Sequence, residues 1–352
     1  MLRAPLRRLR RRAIQGLNVT LGLFLFILAL ELMKESAGGI SVLLKSLAVS
    51  GPVNALGFGW LVAYLAMSGS PVAATSLTLL AGGVLSPMET FGMINGSRFG
   101  ASFIVLFVGF IYYLRGIRGR GVVAMGILSM ATTATIYLPA MLLGALSLRQ
   151  GWLNAFRFGS PRILSSIVDF VYDPITTAVA ARLPGALTFV VGFVCLLAAF
   201  RLFDRALPSM DAARLKTRWG RWMSRPYNMF LLGLLVTSIT LSVSVSLSLL
   251  VPLAARGYVT RPQVIPYIMG ANISTFVDTL FASLLIRTPI AFTIVLTEML
   301  SVAVVSMIVL LTFFRVYRDA LIEFNGRVTA NPTRFAVFVA FLAILPAVLL
   351  LI

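Results

Sequence analysis

The chain has no histidine and a single cysteine, Cys195, among its 352 residues. These absences exclude intramolecular disulfides and any metal or acid–base site built on histidine. A hydrolase triad or a zinc centre draws on such groups, so the sequence argues against an enzyme and predicts no metal centre and no cofactor. The polar groups that remain are hydroxyls, amides, guanidinium groups and a few carboxylates. This set suits binding and release better than bond cleavage.

Charge is also scarce: only 12% of residues are charged, against about 25% in a typical soluble domain. Hydrophobic residues make up 59% of the chain, and the mean hydropathy is +0.97. A bilayer core about 30 Å thick needs about 20 apolar residues per helix, and the sequence contains several such runs. It therefore predicts an all-α polytopic protein of the cell (inner) membrane.

The basic residues are concentrated near the amino terminus and between the apolar runs, and the net charge is +19. This distribution follows the positive-inside pattern, so we expect no nucleic-acid partner. Six arginines between residues 3 and 12 lead directly into the first apolar run, as in a signal anchor. The amino terminus is predicted to be cytoplasmic, with its basic face against anionic lipid.

The apolar runs predict two transmembrane halves. Each half contains a proposed re-entrant hairpin, at 54–86 and at 228–258, and Gly69 and Pro71 interrupt the first hairpin. Residues 34–53 are expected at the outer interface. The predicted order is a basic amino terminus (1–16), a first transmembrane repeat (17–148), an extracytoplasmic connector (149–184), a second repeat (185–314), and a cytoplasmic loop with a final helix (315–352).

The two halves resemble each other. Residues 22–35 align with 192–205, and residues 67–102 align with 241–276 without a gap. In the second pair of segments, corresponding residues differ in number by 174 (241 − 67), and we call this difference the repeat offset. At this offset Gly96 pairs with Gly270. Because the first span of each half is predicted to run in the opposite direction, we expect an inverted-topology repeat whose hairpins meet near the bilayer midplane. The alternative is a chance alignment of apolar segments.

Small polar groups are concentrated in residues 241–276. A hairpin tip would gather hydroxyls and free backbone N–H groups, which can donate to an oxyanion, while hydroxyl lone pairs can bind Na⁺. The alternative is that each serine or threonine bonds a carbonyl of its own helix or joins two helices.

The sequence PYIMGANIST at residues 266–275, together with GLFLFILALELMKE at 22–35, resembles the sodium–phosphate cotransporter family. That family comprises the animal type II transporters and their bacterial relatives, and the resemblance covers residues 17–115 and 188–300. It implies two inverted repeats, each with a Gln-Ser-Ser-Ser signature in a hairpin followed by a Gly-Ala-Asn-type signature. The partners it implies are inorganic phosphate or a similar small anion, and Na⁺ as a coupling ion. It leaves a homo-oligomer open.

Transferred to this sequence, the signatures predict the residues that bind substrate and ions. We expect the substrate-binding residues to be Ser68, Ser70, Arg98, Ser242, Ser244, Asn272, Ser274 and Thr275. Ion coupling is assigned to Ser242, Asn272, Thr275 and Asp278.

The chain departs from the family pattern at several of these positions. Met67 and Leu241 stand where the two glutamines are expected, and Arg98 stands where the first half would carry an asparagine. An arginine within a span is costly unless its charge is compensated. Arg98 could make a structural pair with Asp278 or Glu298, reach an interface, or bind the anion bidentately and replace a sodium ion. Asp278 could pair with Arg98, bind a cation or accept a proton, and Glu298 has the same open roles.

We therefore expect a secondary transporter for a small anion, with sodium-coupled phosphate symport by alternating access as the first hypothesis. The alternatives are a sodium-independent anion exchanger or exporter in which Arg98 replaces a cation, an anion channel, and a membrane scaffold without transport.

Overall fold

The computed structural model describes residues 3–47, 49–114, 119–156, 158, 162–206, 222–241, 243, 245–247 and 259–352. Within these ranges the regular structure is helical and contains no strand. The helices are α1 (Arg3–Ser46), α2 (Pro52–Ala66), α3 (Ser70–Ala81), α4 (Pro87–Leu114), α5 (Gly119–Gln150), α6 (Arg162–Ala180), α7 (Gly185–Ala206), α8 (Pro226–Thr240), α9 (Arg261–Ser274), α10 (Phe276–Leu285), α11 (Pro289–Ile308), α12 (Phe314–Thr329) and α13 (Pro332–Leu351). A five-residue π-helical segment, Val309–Phe313, joins α11 to α12.

Six helical stretches in the described part of the chain are long and apolar enough to cross a bilayer. They are Ala13–Ser46, Val123–Gln150, Gly185–Ala206, Arg261–Leu285, Pro289–Thr329 and Pro332–Leu351. The prediction of an all-α, multi-pass membrane protein is thereby confirmed.

Helix α1 is longer than the sequence predicts. It was expected to end near residue 33, but it continues to Ser46 and spans 44 residues, or about 66 Å at 1.5 Å per residue. No proline lies between residues 13 and 46 of α1, and small residues of this stretch pack closely on α7. A Cβ atom on Gly39 would lie 2.4 Å from the carbonyl carbon of Gly185, so the two helices meet at a pair of glycines.

The break predicted near Gly69 and Pro71 is confirmed. Helices α2 and α3 have 15 and 12 residues, or about 22 and 18 Å, and neither length reaches the 30 Å or so of a bilayer core. Between them Met67 adopts the left-handed conformation with φ of 51°, and Pro71 lies in the first turn of α3. These features are what a re-entrant hairpin requires.

The second predicted hairpin is described only in part. Helix α8 ends at Thr240, and Leu241 then adopts φ of 51°. Ser242, Ser244 and residues 248–258 lie outside the described residues. The returning arm of this hairpin therefore stays a prediction.

The same backbone arrangement occurs twice at the repeat offset. Helix α2 (52–66) corresponds to α8 (226–240), and the start of α4 at residue 87 corresponds to the start of α9 at residue 261. The two left-handed residues, Met67 and Leu241, are related by the same offset.

Helix packing repeats as well. A Cβ atom on Gly96 would lie 1.9 Å from the carbonyl oxygen of Leu56, and one on Gly270 would lie 2.0 Å from that of Phe230. Both contacts are backbone to backbone, and the repeat offset relates each residue of the first pair to its counterpart in the second. The repeat is thus visible in helix bounds, turn conformation and packing, whereas the opposite insertion of its copies stays a prediction.

Candidate functional site

Arg98 lies at the centre of the molecule, where α4 contacts the junction of α9 and α10. Its side chain is 3% exposed. One terminal nitrogen donates to the hydroxyl of Thr275 at 3.1 Å, and the other donates to the hydroxyl of Thr279 at 2.7 Å. The guanidinium carbon lies 4.7 Å from the centre of the Phe276 ring, within the range of a cation–π contact. A fixed positive charge is therefore held in place by neutral groups.

The junction that receives Arg98 lies within one helical stretch, Arg261–Leu285. Helix α9 ends at Ser274 and α10 begins at Phe276, and Thr275 lies between them with φ of −61° and ψ of −18°. The Thr275 N–H still donates to the Ala271 carbonyl at 3.0 Å, so the helix is locally irregular and keeps its direction.

Asp278 is joined to Arg98 through a hydroxyl. The Thr279 hydroxyl, which accepts from Arg98, donates to Asp278 Oδ1 at 2.8 Å. Ser70, at the start of α3, also hydrogen-bonds the Asp278 carboxylate. Among the described residues Arg98 makes no ion pair shorter than 4.0 Å with a carboxylate. The pairing suggested by the sequence is thus an indirect one.

Several buried polar atoms around Arg98 have no hydrogen-bond partner within the described ranges. They are Arg98 Nε, Asp278 Oδ2 and both carboxylate oxygens of Glu298. Arg98 acts electrostatically on both carboxylates. A guanidinium donor and two carboxyl groups therefore converge on one buried region. Such a region can bind an anion through the guanidinium group and a cation or proton through the carboxyl groups.

Asn272 belongs to a separate network that connects α9 to α5. Its side-chain nitrogen donates to the Thr133 hydroxyl at 3.1 Å, and the Ser102 hydroxyl donates to the same atom at 2.8 Å. The Tyr137 hydroxyl donates to the backbone carbonyl of Asn272 at 2.9 Å. Asn272 is therefore positioned from both its side chain and its backbone.

The predicted site residues do not all lie together. The structure brings Ser70, Arg98, Thr275 and Asp278 together in one hydrogen-bonded cluster. Ser274 instead bonds the carbonyls of its own helix, at 3.3 and 3.4 Å, as the alternative interpretation expects.

Ser68 lies half-buried in the break between α2 and α3, where its backbone N–H donates to the Ala63 carbonyl at 3.3 Å. Ser242 and Ser244 lie outside the described residues, so their proposed roles stay predictions.

Thr133, Tyr137 and Thr279 were missed by sequence reasoning. Thr133 and Tyr137 are four residues apart on α5 and so share one helix face, which was the available signal. Thr279 follows Asp278 directly and could have been considered with it.

A second hydroxyl cluster lies beside the end of α8. The Thr237 hydroxyl donates to Ser246 at 2.6 Å, and Ser246 and Tyr267 share a hydrogen bond of 2.8 Å. All three side chains are buried. This cluster joins Thr237 on α8 and Ser246, which follows α8, to Tyr267 on α9.

Comparison with known proteins identifies the second half of the chain. No curated protein and no solved structure matches the sequence. A family model described as Na+/Pi-cotransporter matches residues 195–330, a range that includes the junction of α9 and α10, Asn272, Asp278 and Glu298. Residues 195–330 are thus similar to the Na+/Pi-cotransporter family, and together with the six apolar helical stretches this similarity supports a multi-pass membrane protein of the transporter type.

Proposed function

We propose that this protein carries a small oxyanion, with inorganic phosphate as the first candidate, across the cell (inner) membrane by alternating access. The amino terminus is cytoplasmic, and the anion binds at Arg98 near the midplane. Na⁺ is the coupling ion that the family implies. The single observation that carries the proposal is a buried arginine whose terminal nitrogens contact two hydroxyls and, in the part of the chain that the structure describes, no carboxylate.

A buried cation is costly unless an opposite charge lies beside it, because hydroxyl dipoles replace only part of its hydration. Asp278 is connected to Arg98 through Thr279, and Oδ2 of Asp278 and Nε of Arg98 keep hydrogen-bonding capacity. An oxyanion could use that capacity, since a guanidinium group matches phosphate geometry with two parallel N–H donors.

Alternating access needs two units that move against each other around the site. The repeated packing of α2 on α4 and of α8 on α9 supplies two units of like construction. Arg98 belongs to the first unit, whereas Thr275, Asp278 and Thr279 belong to the second. An anion bound between them would therefore contact both units.

One observation favours a sodium-independent variant of this function. Thr275 and Thr279 offer the oxygens that a Na⁺ ion would use, but both oxygens accept hydrogen bonds from Arg98. In this candidate the guanidinium group takes the place of a cation, and the protein is an anion exchanger or exporter.

Radiolabelled phosphate uptake into proteoliposomes tests both candidates. We expect saturable uptake in wild type, accelerated by an inward Na⁺ gradient if the coupling of the family is kept and indifferent to it if Arg98 replaces the cation. Arg98→Ala should abolish uptake in either case. Arg182→Ala is the matched control, because Arg182 is exposed after α6.

Other results would overturn the proposal. Electrogenic flux that does not saturate would indicate a channel. The absence of flux for any anion would indicate a scaffold without transport. Full uptake by Arg98→Ala would remove Arg98 from the site.

A further inference from the structure

Anion binding at Arg98 does not explain a second buried carboxyl group, that of Glu298 on α11. Its side chain is buried, with 2% of the residue exposed. Neither carboxylate oxygen has a hydrogen-bond partner among the residues that the structure describes. A carboxylate without partners in an apolar interior is among the most costly groups to keep ionised.

The charged and titratable groups around Glu298 come from three helices. Arg98 on α4 and Tyr137 on α5 interact electrostatically with it, and Asp278 on α10 interacts with the same Arg98. Helix α3, which also contacts α11, contains no titratable residue. On α9, the hydroxyl of Tyr267 is engaged by Ser246.

The helices packed against α11 carry four other charged residues, and all four lie in a first or last helical turn: Glu89 on α4, Arg120 and Arg149 on α5, and Arg261 on α9. The region around Glu298 thus combines one guanidinium group with two carboxylates.

The hydrogen bonds distinguish the two carboxylates. Asp278 accepts from Thr279 and bonds Ser70, and such donors stabilise the ionised form of a carboxylate. Glu298 has no donor within the described residues. If both groups were ionised, the buried cluster would carry a net negative charge. Neutrality is reached when Asp278 balances Arg98 and Glu298 holds a proton.

We propose that Glu298 is a proton-binding site that couples anion movement to proton movement, an inference that rests on the proposed transport function. Anion binding and ionisation of Glu298 each add one negative charge beside the same guanidinium group. They therefore oppose each other, and a bound anion favours the protonated carboxyl group. Glu298 takes a proton from water on the side where the anion enters and releases it on the side where the anion leaves.

Infrared spectroscopy of the purified protein tests the protonation directly and needs no transport. A protonated Glu298 is expected to give the carbonyl band of a neutral carboxylic acid, and this band should shift in D₂O. The band should disappear in Glu298→Gln. It should persist in the matched control Glu323→Gln, because Glu323 is exposed and paired with Arg327. A spectrum that is identical in wild type and Glu298→Gln would overturn the assignment.

Uptake under an imposed pH gradient without Na⁺ tests the coupling. For one proton per anion, a gradient of one pH unit, acid outside, is expected to raise phosphate accumulation by wild type up to about tenfold. Glu298→Gln should not respond to the gradient, and Glu323→Gln should respond like wild type. Because phosphate ionises identically in all three experiments, the difference between variants isolates the side chain.

The outcomes separate the two proposals. In phosphate counterflow, labelled phosphate outside the proteoliposomes exchanges for unlabelled phosphate inside them. Counterflow by wild type, together with uptake that does not respond to the pH gradient, would overturn the coupling and leave the proposed function standing. An equal response of wild type and Glu298→Gln would also overturn it. No counterflow by wild type would overturn the proposed function and the coupling with it, while the infrared band would still decide whether Glu298 holds a proton.

Discussion

The two halves of this protein share a backbone arrangement and differ in the chemistry that it carries. Gly96 and Gly270, which the repeat offset relates, make the same backbone contact. The second residue after each glycine is Arg98 in one half and Asn272 in the other. The family model matches the half with Asn272. The close backbone contact is therefore common to both halves, whereas the polar residue beside it differs.

The difference extends to the helices themselves. Helix α4 continues past residue 101, an alanine, whereas the corresponding position in the second half is Thr275, at the junction of α9 and α10. The Thr275 hydroxyl at this junction accepts from Arg98. One half thus contributes a cation, and the other contributes hydroxyls and a carboxylate. A symmetric scaffold carries an asymmetric site.

Opposite insertion of the two halves is tested by the side of the membrane on which equivalent residues lie, and this test has the largest expected effect. Ser50 and Ser224 are related by the repeat offset, and both are exposed. In a Cys195→Ser background, we expect Ser50→Cys to react with an impermeant thiol reagent only from outside and Ser224→Cys only from inside, because an inverted repeat places its copies on opposite faces. Labelling is measured on intact cells and inverted vesicles. Reaction of both cysteines from the same side would contradict opposite insertion.

Replacing Arg98 by asparagine, the residue at the equivalent position of the second half, should have the next largest effect. Arg98→Asn removes the guanidinium group that would bind the anion, and one charge-assisted hydrogen bond to an anion is worth about 2 kcal/mol, or roughly thirtyfold in anion affinity. If the arginine replaces a cation, residual phosphate uptake should become dependent on Na⁺. The measurement is uptake against phosphate and Na⁺ concentration, with Arg182→Asn as the control. Unchanged uptake with unchanged ion dependence would rule out a role for Arg98.

The sequence predicted those parts of the fold that follow from local residue chemistry. Glycine and proline near residues 69–71 located the break between α2 and α3, and the ungapped alignment supplied the offset at which helix bounds recur. The extension of α1 to Ser46 was not predicted. Its polar residues suggested an interface, but a helix ends where its backbone is interrupted, and only the packing of Gly39 on α7 reveals why these residues stay helical.

The charged members of the candidate cluster could be predicted from the sequence, and its neutral hydroxyls less well. A buried arginine and aspartate stand out in an apolar span, and Arg98 and Asp278 do lie in one cluster. Ser274 and Thr275 look alike in sequence, yet one bonds its own helix and the other receives Arg98. Ser274 and Thr275 differ in the direction in which each side chain leaves the helix. That direction depends on the local backbone at the junction of α9 and α10.

Substituting the packed glycines tests whether the two halves are equally close-packed. Gly96→Ala and Gly270→Ala each place a methyl group against a carbonyl oxygen, and we expect a similar loss of stability in both, about 1–3 kcal/mol. The measurement is thermal unfolding in detergent. Gly326→Ala is the control, since no atom lies within 4 Å of its Cβ position, and alanine there should stabilise the helix by up to about 1 kcal/mol. A loss in only one half would show that the repeat has diverged in its packing.

The smallest expected effect concerns the residues that end the first arm of each hairpin. Met67 and Leu241 both adopt φ of 51°, a conformation that costs a residue with a Cβ atom about 1–2 kcal/mol. Met67→Gly and Leu241→Gly should therefore stabilise the protein slightly, by about 0.5 kcal/mol after the extra chain entropy of glycine is subtracted. Leu65→Gly, in the exposed last turn of α2, should destabilise it instead. Thermal unfolding of the three variants decides: if all three lose stability alike, the left-handed turns carry no strain, and the two hairpins would have to be held in place by their packing alone.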